Sequence, residues 1–258
     1  MRYMEEYKNK ICIVISSCDK YIPLIDVQLH FFKKYWSDCP LDIFYITETK
    51  PIPKIESNLK INNFITNINP VGPSDWSKNL KMLLDYVPYD YILYLQEDYI
   101  FTDFVGKGRL SKLFKYVIEN DVNYLRFYGS TGILRHKLIT VSNDVKIREI
   151  PKDCLFRSSL MIAIWNKNTF IDLINMSDGT GPWKFELNNN DNKYDKFYCV
   201  DLKREDDSDI IKFTGIYGSG DNLQIYPHLK EMIKKENIKT STGENFDIDI
   251  KLTKISSE

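Results

Sequence analysis

The sequence predicts an α/β protein with a mostly parallel central sheet, helices on both faces and a less regular second half. Short runs of β-branched and apolar residues alternate with segments whose apolar residues recur every three or four positions, and the runs end abruptly in polar turns. With 43% apolar and 14% aromatic residues against 11 Gly and 10 Pro in 258, the chain has the makings of a continuous core and is neither low-complexity nor disordered.

The first element is ICIVISS at 11–17, suited to a strand covered on both faces. Ser16-Ser17-Cys18-Asp19-Lys20 ends it. Pro23 fits the first turn of a helix in which Ile25, Leu29, Phe32 and Trp36 share one face, and Asp38-Cys39-Pro40 stops that helix. LDIFYIT at 41–47 reads as a second strand, a proline-bearing loop follows from Thr49 to Pro53, and another β segment is expected around Asn63 to Ile68. Ser74 or Asp75 caps the next helix, whose Trp76, Leu80, Leu83, Leu84 and Val87 trace one face before Pro88 closes it. YILYL at 91–95 then gives way at once to Gln96-Glu97-Asp98, the sharpest change of polarity in the chain. Leu110, Leu113, Phe114, Val117 and Ile118 define a further amphipathic helix, and VNYLRFYG at 122–129 a strand after it.

Beyond residue 128 the alternation loosens. KLITVSNDVKIREI reads as a hairpin around Ser142-Asn143-Asp144, LMIAIW as a buried strand, and Asn166 to Asn175 as a short helix. Asn188 to Asn192 and Lys203 to Asp209 read as surface loops. Phe246, Ile248, Ile250 and Leu252 alternate with polar neighbours, as in a half-buried strand at a sheet edge. With no repeat and no long linker, residues 1–258 form one domain in this reading, divided at about 128 into halves spanning 11–128 and 129–258.

Charge and cysteines bound the partners. Lys and Arg number 35 against 36 Asp and Glu, so no global field draws the chain to nucleic acid or an anionic membrane. Cys12, Cys18, Cys39, Cys154 and Cys199 show neither CxxC spacing nor Cys/His pairing, which fits a reduced compartment. The apolar run Ile11 to Ile15 is too short for a signal sequence or a membrane span, so a soluble cytoplasmic protein is expected.

In open α/β sheets ligands lie outside the carboxyl ends of the parallel strands. Two polar turns occupy that position here: Ser16 to Tyr21, and Gln96-Glu97-Asp98. Neither carries a Walker A or GxGxxG sequence, which argues against P-loop and dehydrogenase chemistry. The adjacent carboxylates of Glu97 and Asp98 suit a hard divalent ion bridging to phosphate, or else form a solvated turn. Glu205-Asp206-Asp207 and Asp209 lie near lysines and read as solvated surface.

The segments SSCDKY, SDWSKNLKMLL and DYILYLQEDYIF span about residues 11–104, with a weaker extension through IAIW and GPWKFE at 162–186. In that order they resemble the nucleotide-sugar half of a GT-A glycosyltransferase, of the polysaccharide-biosynthesis type with a CDKY turn and QED in place of DXD. The resemblance implies transfer of a sugar from a nucleotide-sugar donor to a hydroxyl of a glycan acceptor. It implies that Ser17, Asp19 and Tyr21 approach the base or ribose, and that a divalent cation, Mn or Mg, rests on Asp98 with Glu97. That cation would neutralise charge on the leaving nucleoside diphosphate; without it, Lys78 of Ser77-Lys78-Asn79 or another cation carries more of that load. A late histidine, His228, is the further metal or diphosphate contact. Glu186, in a Pro-Trp-x-x-Glu segment, is the implied base of an inverting transfer, with Trp183 as an apolar platform for a sugar face. Each has a plainer reading beside it: Tyr21 packed at a helix start, Glu186 a surface acid, His228 structural. Two other functions stand beside transfer. A sugar nucleotidyltransferase normally shows a Gly- and Arg-rich first loop, which SSCDKY lacks; a glycan-binding protein without turnover is compatible with Gln96.

Overall fold

The computed structural model describes residues 4–54, 56–68, 75–128, 136–177, 180–189, 192–201, 210–217 and 224–238. Its strands are β1 (Ile11–Ser16), β2 (Ile43–Thr47), β3 (Ile61–Ile65), β4 (Tyr91–Gln96), β5 (Ile100–Phe101), β6 (Tyr124–Arg126), β7 (Leu138–Ser142), β8 (Val145–Glu149), β9 (Ala163–Asn166), β10 (Phe197–Val200), β11 (Phe213–Thr214), β12 (Ile216–Tyr217) and β13 (Gln224–Ile225). The helices are α1 (Ile22–Tyr35), α2 (Asp75–Tyr86), α3 (Lys107–Glu119), α4 (Lys167–Met176), α5 (Pro182–Asn188) and α6 (Pro227–Glu236). Ser74, Lys203 to Asp209 and the alternating stretch from Phe246 to Leu252 lie outside the described residues.

Nine strands form one sheet in the order β3-β2-β1-β4-β9-β6-β10-β8-β7. The first four are parallel, as the βα alternation requires. The LMIAIW strand, β9, then enters between β4 and β6 and runs against both. Sequence order alone does not reveal that insertion. The hairpin expected around Ser142-Asn143-Asp144 is present as β7 and β8 and forms the far edge.

Two-sided burial decides which residues these strands use. All six side chains of β1 are buried, and alternation sends them to different layers. Ile11, Ile13 and Ile15 meet Ile25, Leu29 and Phe32 of α1 and Leu113 and Phe114 of α3. Cys12 and Val14 face the other way, toward Leu80, Leu83 and Leu84 of α2 and Phe170 and Leu173 of α4. Pro23 lies in the first turn of α1, where its missing N–H costs nothing, and Asn166 caps α4 by accepting the Thr169 N–H at 3.1 Å.

The second layer is anchored by Trp165, fully buried and stacked on Phe170 with ring centroids 4.5 Å apart. The Tyr124 ring lies tilted against Trp165 with centroids 4.2 Å apart, and Phe185 of α5 closes edge-on. Replacing Trp165 with Ala is expected to cost about 4 kcal/mol, because the helices on either side cannot collapse into the space. Urea unfolding followed by far-UV circular dichroism measures this; a loss below about 1 kcal/mol would show that this layer is not close-packed.

Candidate active site at the strand ends

After β3 the chain passes beneath β2 and β1 to add β4 on the opposite side of β1, so strand order reverses between β1 and β4. The helices that follow β1 and β3 therefore cover opposite faces, and a crevice opens at the carboxyl ends of β1 and β4. Register fixes what lines it: Ser16 is paired with Gln96, and the Glu97 N–H donates to the Ser16 carbonyl at 3.2 Å. Polar residues thus begin at the same level on both strands.

Each face contributes one clamp. From α1, the buried Gln28 amide donates to the carbonyls of Gln96 at 2.7 Å and Tyr99 at 3.1 Å, while its oxygen accepts the Tyr45 hydroxyl at 2.9 Å. From α2, the Trp76 indole N–H donates to Ser16 Oγ at 3.1 Å, with its ring edge-on to Phe185 at 5.4 Å. The turn at 96–99 is therefore shaped by side chains whose donors and acceptors are all used.

The acids on that turn are not so satisfied. Asp98 Oδ1 is sealed from solvent with no hydrogen-bond partner among the described residues. Burial pushes the Asp98 carboxyl up to about 7. It also drives Glu97 well above the usual carboxylate range, with Asp98 and then Glu48 adding repulsion. The Cys18 thiol is raised by burial and by Glu97 and Glu48 nearby. Oxygen donors left unpaired at the mouth of a sheet have the chemistry that a hard divalent cation or a phosphate-bound cation satisfies. Asp98 and Glu97 would hold it; no group of three His, Cys, Asp or Glu side chains among the described residues converges on one point.

Asp19 is placed in the crevice wall, and its carboxylate is already occupied. It accepts the N–H groups of Glu48, Thr49 and Lys50 at 3.0 to 3.2 Å and the Thr49 hydroxyl, while its own N–H donates to Glu48. Burial raises its pKa, but these donors outweigh burial and hold the carboxyl below its ordinary value. Asp19 thus staples the turn after β1 to the turn after β2. Glu48, buried at the carboxyl end of β2 and raised mainly by burial, is a site acid that the sequence reading missed. The signal was there: like Glu97, it is the first charge after a buried strand. Asn79 was missed as well; it is buried in the first turns of α2 with Oδ1 unpartnered.

Other candidates divide by place. Ser17 is half-buried beside the crevice, its hydroxyl 3.4 Å from the Cys18 carbonyl. Tyr21 packs against Leu24, Val27 and Phe31, in keeping with its plainer reading. Lys78 is exposed on the first turns of α2. His228 is exposed on the first turn of α6, stacked on Tyr226 at 5.7 Å. Glu186 is half-buried on α5, where Oε1 accepts the Ser159 hydroxyl at 2.9 Å and the Leu160 N–H at 2.7 Å. Its Oε2 has no partner among the described residues. The Tyr99 phenol, raised first by burial, is raised further by both Asp98 and Glu186, so the acid corner and Glu186 lie within electrostatic reach of one hydroxyl. Trp183, one turn before Glu186, is 69% exposed.

Two outcomes test this geometry. Gln28→Leu strands two carbonyls and a phenol and is expected to lower stability by about 2 kcal/mol in urea titrations, whereas a surface Gln would cost nothing measurable. Asp98 is protonated more readily folded than unfolded, so its contribution is complete at acid pH and lost as pH rises through about 7. The cation-free protein is expected to lose about 5 °C in Tm between pH 5 and pH 8, and Asp98→Asn to remove most of that loss. A Tm that rises over this window contradicts the buried acid corner.

No family model matches the chain, and no curated protein matches its sequence. Among solved structures it is similar to S. aureus TarS, with a TM-score of 0.42 and 10% identity over 75% of this chain and 37% of that one. S. aureus TarS 1-349 gives 0.45 and 13% over 76% and 58%, and TarS 1-349 in complex with UDP-GlcNAc gives 0.41 and 13% over 78% and 60%. The chain therefore spans between 37% and 60% of the length of these structures.

Proposed function

We propose that the protein is a GT-A-like glycosyltransferase that moves a sugar from a nucleotide-sugar donor to a glycan hydroxyl with inversion. The observation that carries this reading is the unpaired Asp98 oxygen at the point where strand order reverses. A crevice between β1 and β4 takes an elongated ligand across strand ends, and Ser17 and Glu48 line the side where the base and ribose would lie, with Tyr21 packed behind them. Asp19 supports that side by holding the two loops together. The diphosphate lies toward Glu97 and Asp98. Glu97 and Asp98 would hold a divalent cation, Mn or Mg, which would supply positive charge to the leaving diphosphate. Lys78, exposed on the first turns of α2, is the remaining cation candidate, and His228 on α6 is a further diphosphate contact in this reading.

Glu186 acts on the acceptor. With Oε1 held by Ser159 and Leu160, Oε2 is the oxygen that takes the proton from the attacking hydroxyl. The new bond forms from that hydroxyl oxygen to the anomeric carbon as the bond to the diphosphate oxygen breaks, and the electron pair leaves with the nucleoside diphosphate. Attack opposite to departure inverts the centre. Fixing the carboxylate on two donors limits the reorganisation needed at the moment of reaction. Trp183 offers its exposed ring to a sugar face. A glycan-binding protein without turnover is the second reading, favoured by the uncharged Gln96, whose amide lies 3.5 Å from the Tyr94 hydroxyl.

Release of nucleoside diphosphate from UDP, GDP and dTDP sugars separates the two readings: binding without release favours the second. Glu186→Gln keeps an oxygen for Ser159 and Leu160, so it is expected to fold and bind donor while kcat falls by about 10² to 10⁴. An unimpaired Glu186→Gln enzyme removes the base assignment, and an NMR spectrum showing retained anomeric configuration removes inversion.

A further inference from the structure

One row across the sheet reads Phe44, Val14, Tyr94, Ala163, Arg126, Cys199, Arg148, Leu138 in register. Its members share one face. Two arginines in the row have opposite fates. Arg148 lies 2.6 Å from Asp201 and donates to the His136 carbonyl, so its charge is met. Arg126 is only 4% exposed, has no carboxylate within ion-pair distance among the described residues, donates from Nη1 to the Phe156 carbonyl at 3.1 Å and lies against the Tyr124 hydroxyl. Its Nε is buried with no acceptor. A guanidinium held this way is costly, because charge taken from water is repaid only by a counter-charge or a full set of hydrogen bonds.

Position says what the missing partner is. Arg126 ends β6, which runs parallel to β4, so it lies on the crevice side of the sheet. Its neighbour toward β4 is Ala163, a single methyl, so no side chain in the row stands between the guanidinium and the Tyr94 phenol. The same phenol sits beside Gln96. Arg126 and Glu186 both act on the Tyr124 hydroxyl, which lies close enough to feel the guanidinium and the carboxylate. The Phe156 to Leu160 segment touches all three: Phe156 accepts from Arg126, the Ser159 carbonyl accepts from Tyr124 at 2.7 Å, and Ser159 Oγ and the Leu160 N–H hold Glu186.

We propose that Arg126 is a substrate-binding residue that takes an anionic oxygen group of the donor at the carboxyl end of β6, on the side of the sheet that carries Glu186. This rests on the transferase reading above and adds to it the group that carries the donor's negative charge on the protein side. The anionic oxygens belong to the diphosphate or to a carboxylate on the transferred sugar; either offers a pair of oxygens on one centre that a guanidinium fork can grip.

Arg126→Gln and the apolar Arg126→Met test it. Without ligand, both variants are expected to melt at or above the wild-type temperature, because a buried charge without a partner has been removed. Affinity for whichever of UDP-glucose, GDP-glucose and dTDP-glucose the wild-type protein binds is expected to fall about tenfold or more by calorimetry. Loss of stabilisation by inorganic pyrophosphate identifies the diphosphate as the group; loss confined to UDP-glucuronic acid identifies a sugar carboxylate. A variant that melts lower and binds every donor like wild type overturns the proposal, as does failure of both variants to fold, which makes Arg126 structural. The two readings fail separately. Wild-type protein that binds no nucleotide sugar yet gains stability from pyrophosphate through Arg126 removes the transferase and keeps the anion site, and unchanged donor binding by Arg126→Gln does the reverse.

Discussion

The site depends on the register between β1 and β4. Six consecutive pairs, from Ile11 with Tyr91 to Ser16 with Gln96, join two strands buried on both faces. Because alternation gives each residue to one layer or the other, a slip of β4 by one position against β1 would send Tyr94 into the layer of α1 and α3 and turn Leu93 and Leu95 toward α2 and α4. Both layers reject that exchange. The same pairing brings the two polar turns level, and the clamps from Gln28 and Trp76 then act on opposite faces at that level. Core packing and site geometry are therefore one constraint seen from two ends of the strands.

Around this frame, polar satisfaction is uneven. Gln28, Asp19 and the oxygen of Glu186 that faces Ser159 are saturated by well-placed donors or acceptors, while Asp98, Asn79 and Arg126 each keep a buried polar atom without a partner. Saturated groups fix shape; unsatisfied ones tax stability unless a ligand completes them. These three lie near the carboxyl ends of β4 and β6 and the first turns of α2, while other buried atoms without a partner, such as the indole nitrogens of Trp36 and Trp165, lie in the core away from the crevice.

Much of this was legible in the sequence. The strands ICIVISS, LDIFYIT and YILYL, the helices between them and the change of polarity at Gln96 follow from periodicity and burial, and they suffice to place Glu97 and Asp98 at a strand mouth. Strand order was not legible, because β9 pairs with β4 and β6 through contacts distant in sequence. Nor was the work of Asp19: a carboxylate after a strand reads the same whether it meets a ribose or the N–H groups of Thr49 and Lys50, which come from a loop some thirty residues away. Arg126 looked like an ordinary strand residue in VNYLRFYG. Only pairing with Ala163 and Cys199 shows that it is enclosed and that its charge goes unmatched.

The short segment from Phe156 to Leu160 carries a mechanical implication. Phe156 adopts a left-handed backbone, φ 54°, which side chains other than glycine rarely favour, and from there the chain leads directly to the two groups that fix Glu186. One strap thus serves as common mount for the Arg126 guanidinium and the Glu186 carboxylate. Four peptide units separate the carbonyl that accepts from Arg126 from the N–H that holds Glu186, so the two side chains are set by one short stretch of backbone.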